Sequence, residues 1–136
     1  MSDTKTILLV DDDEAHLLWS SEVLKESGFL IETANSPKEA LKLLKIKCYD
    51  LVISDLVMPE MSGLDFVRSI AGIRKGQKAI ILTGHGDVES FMESVYDLGA
   101  IEYIVKPVEM EEFVTIVKRH TSTPPPSKAK PINQLR

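Results

Sequence analysis

Ile7-Leu8-Leu9-Val10-Asp11-Asp12-Asp13 is a run of four aliphatic residues that ends abruptly in three carboxylates. A run this short, branched and closed by polar residues reads as a strand buried on both faces. Working outward, the pattern recurs. With the first strand placed at Thr6 to Val10, further candidates are Leu30 to Thr33, Leu51 to Ser54, Ala79 to Thr83 and Glu102 to Val105. Between them, apolar residues return at three- and four-residue steps. Alternation of the two periods predicts an α/β fold, with a parallel sheet covered by helices on both faces.

The ends of the helices are legible in their punctuation. The first runs from about Glu14 to Ser27, with Leu17, Ser21 and Leu24 inward and Gly28 placed to stop it. Ser36-Pro37-Lys38-Glu39 opens the second. Ser36 caps, Pro37 suits the first helical position, and Glu39 is expected to return to the N–H of Ser36, ahead of Ala40, Leu41 and Leu44. The third begins near Gly63 and shows Leu64, Val67, Ile70 and Ala71 along one stripe. A fourth is predicted from about Val88 to Leu98, between Asp87 as cap and Gly99 as stop. The last, about Glu109 to His120, buries Phe113, Ile116 and Val117 and carries acidic residues early and basic ones late, as the helix dipole favours.

Five strand–helix units make one domain over residues 1–120. Residues 121–136, with Pro124-Pro125-Pro126, have too little apolar material to pack and read as a flexible tail or the start of a linker. The chain has 136 residues, 43% of them hydrophobic, enough for a single two-faced core. Its net charge of -5 comes from interspersed acids and bases with no basic stretch, so direct binding to nucleic acid or to an anionic membrane is not expected. Cys48 is the single cysteine, which leaves no internal disulfide and no Cys/His zinc set, and suits a reducing cytoplasm. No apolar run is long enough to span a bilayer.

In a parallel sheet with right-handed crossovers, all strands end on one edge, so residues following different strands meet in one crevice. Asp11, Asp12 and Asp13 follow the first strand, Asp55 follows the third, Thr83 ends the fourth and Lys106 follows the fifth. Carboxylates gathered there repel one another unless a cation shares the site. An all-oxygen donor set suits Mg2+ or, failing that, Mn2+. These residue types match phosphoryl transfer to a carboxylate: an aspartate nucleophile, with a metal, an ammonium and a hydroxyl to neutralise the phosphoryl oxygens.

Over about Lys5 to His120 the chain resembles the response regulator receiver family of two-component systems. The first strand with its acidic residues, Asp50-Leu51-Val52-Ile53-Ser54-Asp55-Leu56-Val57-Met58-Pro59, Gly63, Ile80-Ile81-Leu82-Thr83-Gly84-His85-Gly86-Asp87 and Gly99-Ala100-Ile101-Glu102-Tyr103-Ile104-Val105-Lys106-Pro107 carry the likeness. The resemblance implies a flavodoxin-like doubly wound (βα)5 fold with strand order 2-1-3-4-5. It implies phosphorylation of Asp55 by a sensor histidine kinase or phosphotransfer protein. Asp12 and Asp55 would be direct metal ligands, Asp11 would act through water, and Val57 would offer its backbone carbonyl. Lys106 and Thr83 would assist the transfer, and the bond before Pro107 would be cis. Thr83 and Tyr103 would switch the face made by the fourth helix, fifth strand and fifth helix, where a downstream effector or a second copy of the chain would dock. Val57 and His85 occupy the positions that tune phosphate lifetime, and apolar Val57 cannot orient an attacking water. Slow hydrolysis is therefore expected.

Three rival functions fit less well. An aspartate-nucleophile phosphohydrolase needs a second acid two residues after the nucleophile, where Val57 stands. A dinucleotide- or flavin-binding protein needs a phosphate-cradling loop after the first strand, where Asp11 to Glu14 would repel the ligand. An interaction module that never uses phosphate is disfavoured by the joint presence of Asp55, Thr83 and Lys106.

Overall fold

The computed structural model describes residues 4–55, 61, 63–83, 100–105 and 108–121; residues 63, 64, 83, 100–103 and 105 are described by their backbone. Along the chain come β1 (Thr6–Val10), α1 (Glu14–Glu26), β2 (Leu30–Ala34), α2 (Pro37–Ile46) and β3 (Leu51–Asp55). They are followed by α3 (Gly63–Ile73), β4 (Ala79–Thr83), β5 (Ala100–Val105) and a C-terminal helix, α4 (Met110–Thr121). The strands pair in parallel in the order β2-β1-β3-β4-β5. The order reverses at β1, so the chain first winds one way from β1 to β2 and then the other from β1 to β3.

Strand alternation sorts the core into two layers. Ile7, Leu9, Leu51, Ile53, Ile80, Leu82 and Ile104 pack with Leu24 of α1 and with Phe113, Ile116 and Val117 of α4. The residues between them, Leu8, Val10, Val52 and Ala79, face Ala40 and Leu44 of α2 and Phe66 and Ile70 of α3. Side chains of a strand point alternately to its two faces, so strands apolar at every position need cover on both. β2 lies at one edge and is less covered, with Leu30 58% exposed.

The helix ends follow local chemistry. α1 closes with Gly28 at φ 102°, its N–H on Lys25 O and the Phe29 N–H on Leu24 O, while Phe29 and Leu24 share one core layer. This double hydrogen bond with its apolar contact is the usual glycine-terminated helix end. At α2 the Ser36 hydroxyl accepts from the Glu39 N–H at 3.1 Å. The Glu39 carboxylate, expected on the N–H of Ser36, accepts instead from Asn35 at 2.9 Å. Ser36 is extended (φ −155°, ψ 158°), and successive N–H groups of extended backbone face opposite ways, which turns the preceding one toward the carboxylate.

Other boundaries shift for identifiable reasons. Asp55 is the last residue of β3 and not the first after it, because its backbone still pairs with Leu82. β5 starts at Ala100 instead of Glu102, since Ala100 pairs with Ala79 ahead of an irregularity that leaves Glu102 opposite Ile80. Phe66 was absent from the expected stripe of α3, yet it is fully buried while Ala71 is only half-buried. α4 takes in Thr121, which is buried with its hydroxyl donating to Val117 O. The fourth predicted helix (88–98) and residues 122–136 lie outside the described residues. No helix among the described residues is long and apolar enough to cross a membrane.

Candidate functional site

β1 and β3 are neighbours whose last pair is Val10 with Ser54, so one step further along the parallel strands Asp11 comes beside Asp55. Carboxylate oxygens of Asp11, Asp12 and Asp55 lie within 4.8 Å of one another. Asp11 is buried, Asp55 half-buried and Asp12 exposed, which makes a cluster anchored in the sheet edge and open to solvent on one side. Donors made only of carboxylate oxygen fit a hard divalent ion such as Mg2+, which accepts few protein ligands and keeps several waters. The cluster also adjoins the N-terminus of α1, whose partial positive charge favours carboxylates there.

Local hydrogen bonds decide which acids join the cluster. Asp13 does not: it is the N-cap of α1, and its Oδ1 accepts from the Ala15 and His16 N–H groups at 3.0 and 3.2 Å. The three consecutive acids thus divide their work, against the expectation that all would gather. Asp11 is held at both oxygens. Its Oδ1 accepts from the Asp13 N–H at 3.0 Å, and its Oδ2 lies 2.5 Å from Nδ1 of His16.

His16 was not foreseen from the sequence. With Asp13 as cap it is the third residue of α1, the position whose side chain reaches back over the helix start, as Glu39 does in α2. That position was the available signal.

Of the other expected residues, Thr83 has its backbone one step beyond Leu82, the partner of Asp55, and opposite Val105, so β4 carries it to the same edge. Tyr103 has its backbone opposite Ile81 in β5. The side chains of Thr83 and Tyr103, and all of Val57, His85, Lys106 and Pro107, lie outside the described residues. Charge of the other sign collects elsewhere. Lys5, Arg74, Lys75 and Lys78 line a groove of about 320 Å³ with Asp50, Gly76 and Thr121. That groove is at the amino edge of the sheet, where the C-termini of α3 and α4 favour cations.

A family profile described as the response regulator receiver domain matches residues 7–118. The chain belongs to the response regulator receiver domain family. Its sequence relatives include the acid tolerance regulatory protein ActR of Rhizobium meliloti, 33% identical over 81% of this receiver and 56% of ActR. The transcriptional regulatory protein CusR of Escherichia coli is 30% identical over 82% of this receiver and 49% of CusR. The receiver spans about half the length of these two relatives.

Solved structures agree with the fold. The receiver domain of HemR from Leptospira biflexa superposes with a TM-score of 0.82 at 31% identity, covering 90% of this receiver and 98% of that chain. TrrA from Thermotoga maritima, in complex with Mg2+ and BeF, gives 0.77 at 38% identity, covering 86% and 99%. The parallel flavodoxin-like sheet and the signalling class of the receiver therefore stand on both sequence and structure.

Proposed function

We propose that this receiver is a phosphorylation switch in which Asp55 accepts a phosphoryl group in a reaction dependent on Mg2+ (or Mn2+), from the phosphohistidine of a sensor kinase or phosphotransfer protein. The meeting of the Asp11, Asp12 and Asp55 carboxylates within 4.8 Å carries the reading. A nucleophile that lies beside two further carboxylates can receive a still more anionic group only where positive charge balances it. When bound, that cation supplies charge neutralisation at the phosphoryl oxygens. Asp12 and Asp55 would hold it directly, Asp11 through water, and Val57 through its carbonyl.

In the transfer an Asp55 carboxylate oxygen attacks phosphorus, the phosphorus–nitrogen bond of the donor breaks, and the departing imidazole takes up a proton. Lys106 pairs with one phosphoryl oxygen and Thr83 donates to another. The same groups would serve the return reaction with water, so the receiver assists its own phosphorylation and dephosphorylation without being an enzyme in the ordinary sense. Movement of Thr83 toward the phosphate would let Tyr103 turn inward and reshape the face made by residues 88–98, β5 and α4. A swing from 1:99 to 99:1 between two such states needs a bias of about 5.5 kcal/mol, within reach of a doubly charged group beside a cation and Lys106.

We further assign the complete (βα)5 repeat, a cis bond before Pro107, control of phosphate lifetime by Val57 and His85, and a cytoplasmic location. The partners are a kinase or phosphotransfer protein and a downstream effector or output domain, joined to or separate from residues 121–136, with dimerisation through the switching face. The test is incubation with acetyl phosphate and Mg2+ followed by intact-mass analysis. A gain of roughly 80 daltons, absent without Mg2+ and absent in Asp55→Asn, is the expected result. No gain in the parent protein would sink the reading.

A further inference from the structure

We propose that His16 is a positioning residue, which fixes the Asp11 carboxylate in the orientation that the acidic cluster needs to take up its cation. This rests on the cation reading above.

The Asp11 side chain is only 5% exposed, and His16 Nδ1 approaches its Oδ2 to 2.5 Å. With the carboxylate ionised, Nδ1 is the donor. The other oxygen is held by the Asp13 N–H, a backbone group that no side-chain change removes. Of these two contacts, that of His16 is the one a substitution can remove. A carboxylate that loses a short contact to one oxygen is less firmly oriented, and a cation site loses affinity when its ligands are less firmly held.

His16 is itself braced. Its backbone N–H is tied to the Asp13 cap at 3.2 Å. Its ring stacks on Trp19 with centroids 5.6 Å apart and planes at 25°, and Trp19 stacks in the same way on Phe113 of α4 at 5.7 Å. Phe113 is fully buried in the core layer beneath α1 and α4. A flat ring that also carries a donor is the side chain that meets both demands, stacking with one surface and hydrogen-bonding at its edge. Outer partners of this kind orient metal-binding side chains, and their removal commonly weakens metal binding 10- to 100-fold, by order of magnitude.

The test compares Mg2+ affinity by calorimetry in the full chain and in two variants matched for thermal stability. His16→Phe keeps the ring and loses the donor, whereas His16→Asn places an amide N–H near the position of Nδ1 without the ring. We expect Mg2+ to bind about tenfold more weakly to His16→Phe, and within about twofold of the parent to His16→Asn. His16→Leu serves the same comparison if Phe disturbs the fold. A donorless variant that binds Mg2+ as the parent does, or an Asn variant as weak as the donorless one, overturns the assignment of His16. A parent that takes up no Mg2+ overturns the cation reading itself.

Discussion

One residue beyond the Val10–Ser54 pair of β1 with β3, Asp11 lies beside Asp55, and their carboxylate oxygens share a 4.8 Å cluster with Asp12. Two acids 44 positions apart in the chain are neighbours because parallel register carries each strand past the same edge. The pairing sets the electrostatics of the site: a buried acid, a half-buried acid and an exposed one, with a helix N-terminus behind them.

Asp11→Asn keeps the shape of that arrangement and removes one negative charge. Affinity for hard cations follows ligand charge, so Mg2+ binding by calorimetry should weaken by about tenfold or more. Unchanged binding would place the cation elsewhere.

Phosphate lifetime is a second measurable quantity. Val57 has no group that can orient water, and Val57→Asn should shorten the half-life of phosphorylated Asp55, followed by loss of the acyl phosphate with time. Equal or slower loss in the variant would remove Val57 from the tuning role.

Away from the site, Glu32 on the edge strand accepts from Lys47 and from the Tyr49 hydroxyl at 2.5 Å. The Lys47 hydrogen bond, helped by that of Tyr49, lowers the Glu32 pKa below its ordinary 4.5. A depressed folded-state value contributes stability above the ordinary carboxylate range, and that stability is lost as pH falls through the folded-state value. Burial, and then Glu32, raise the Tyr49 phenol above its ordinary 10.0, so its contribution is complete below that value and is lost as pH rises past it. Urea midpoints measured across pH should show Glu32→Gln losing least at about pH 3 and Tyr49→Phe flattening the alkaline limb. Parallel curves for parent and variants would contradict both.

Phe66 fills the layer between α2, α3 and the sheet with no exposed surface. Phe66→Ala should cost about 3–5 kcal/mol in urea unfolding, the range for a large side chain removed from a closed core. A cost under about 1 kcal/mol would mean that the layer collapses around the gap.

Gly28 has φ 102° with nothing within 4 Å of where a Cβ would stand. Gly28→Ala should therefore destabilise through the backbone alone, by about 1–3 kcal/mol, with no repacking of neighbours visible in side-chain spectra.

By itself the sequence determined the class of the fold, since the unbroken aliphatic runs within β1, β3 and β4 demand cover on both faces, and helical periods between them supply it. It also marked Asp11, Asp12 and Asp55 as residues that strand ends would bring together. Helix ends were equally legible, the stop of α1 at Gly28 and the start of α2 at Ser36, where single residue types carry the geometry. What tertiary structure alone decided was the use of each neighbour. Asp13 left the cluster because an uncapped helix start needs an acceptor, and His16 joined because the turn so created aims its ring at Asp11. Phe66 over Ala71, and Lys5 beside Arg74, Lys75 and Lys78, likewise depend on which faces and edges meet in space. Local pattern specifies an element and its faces, whereas the partner across each face depends on how the elements pack.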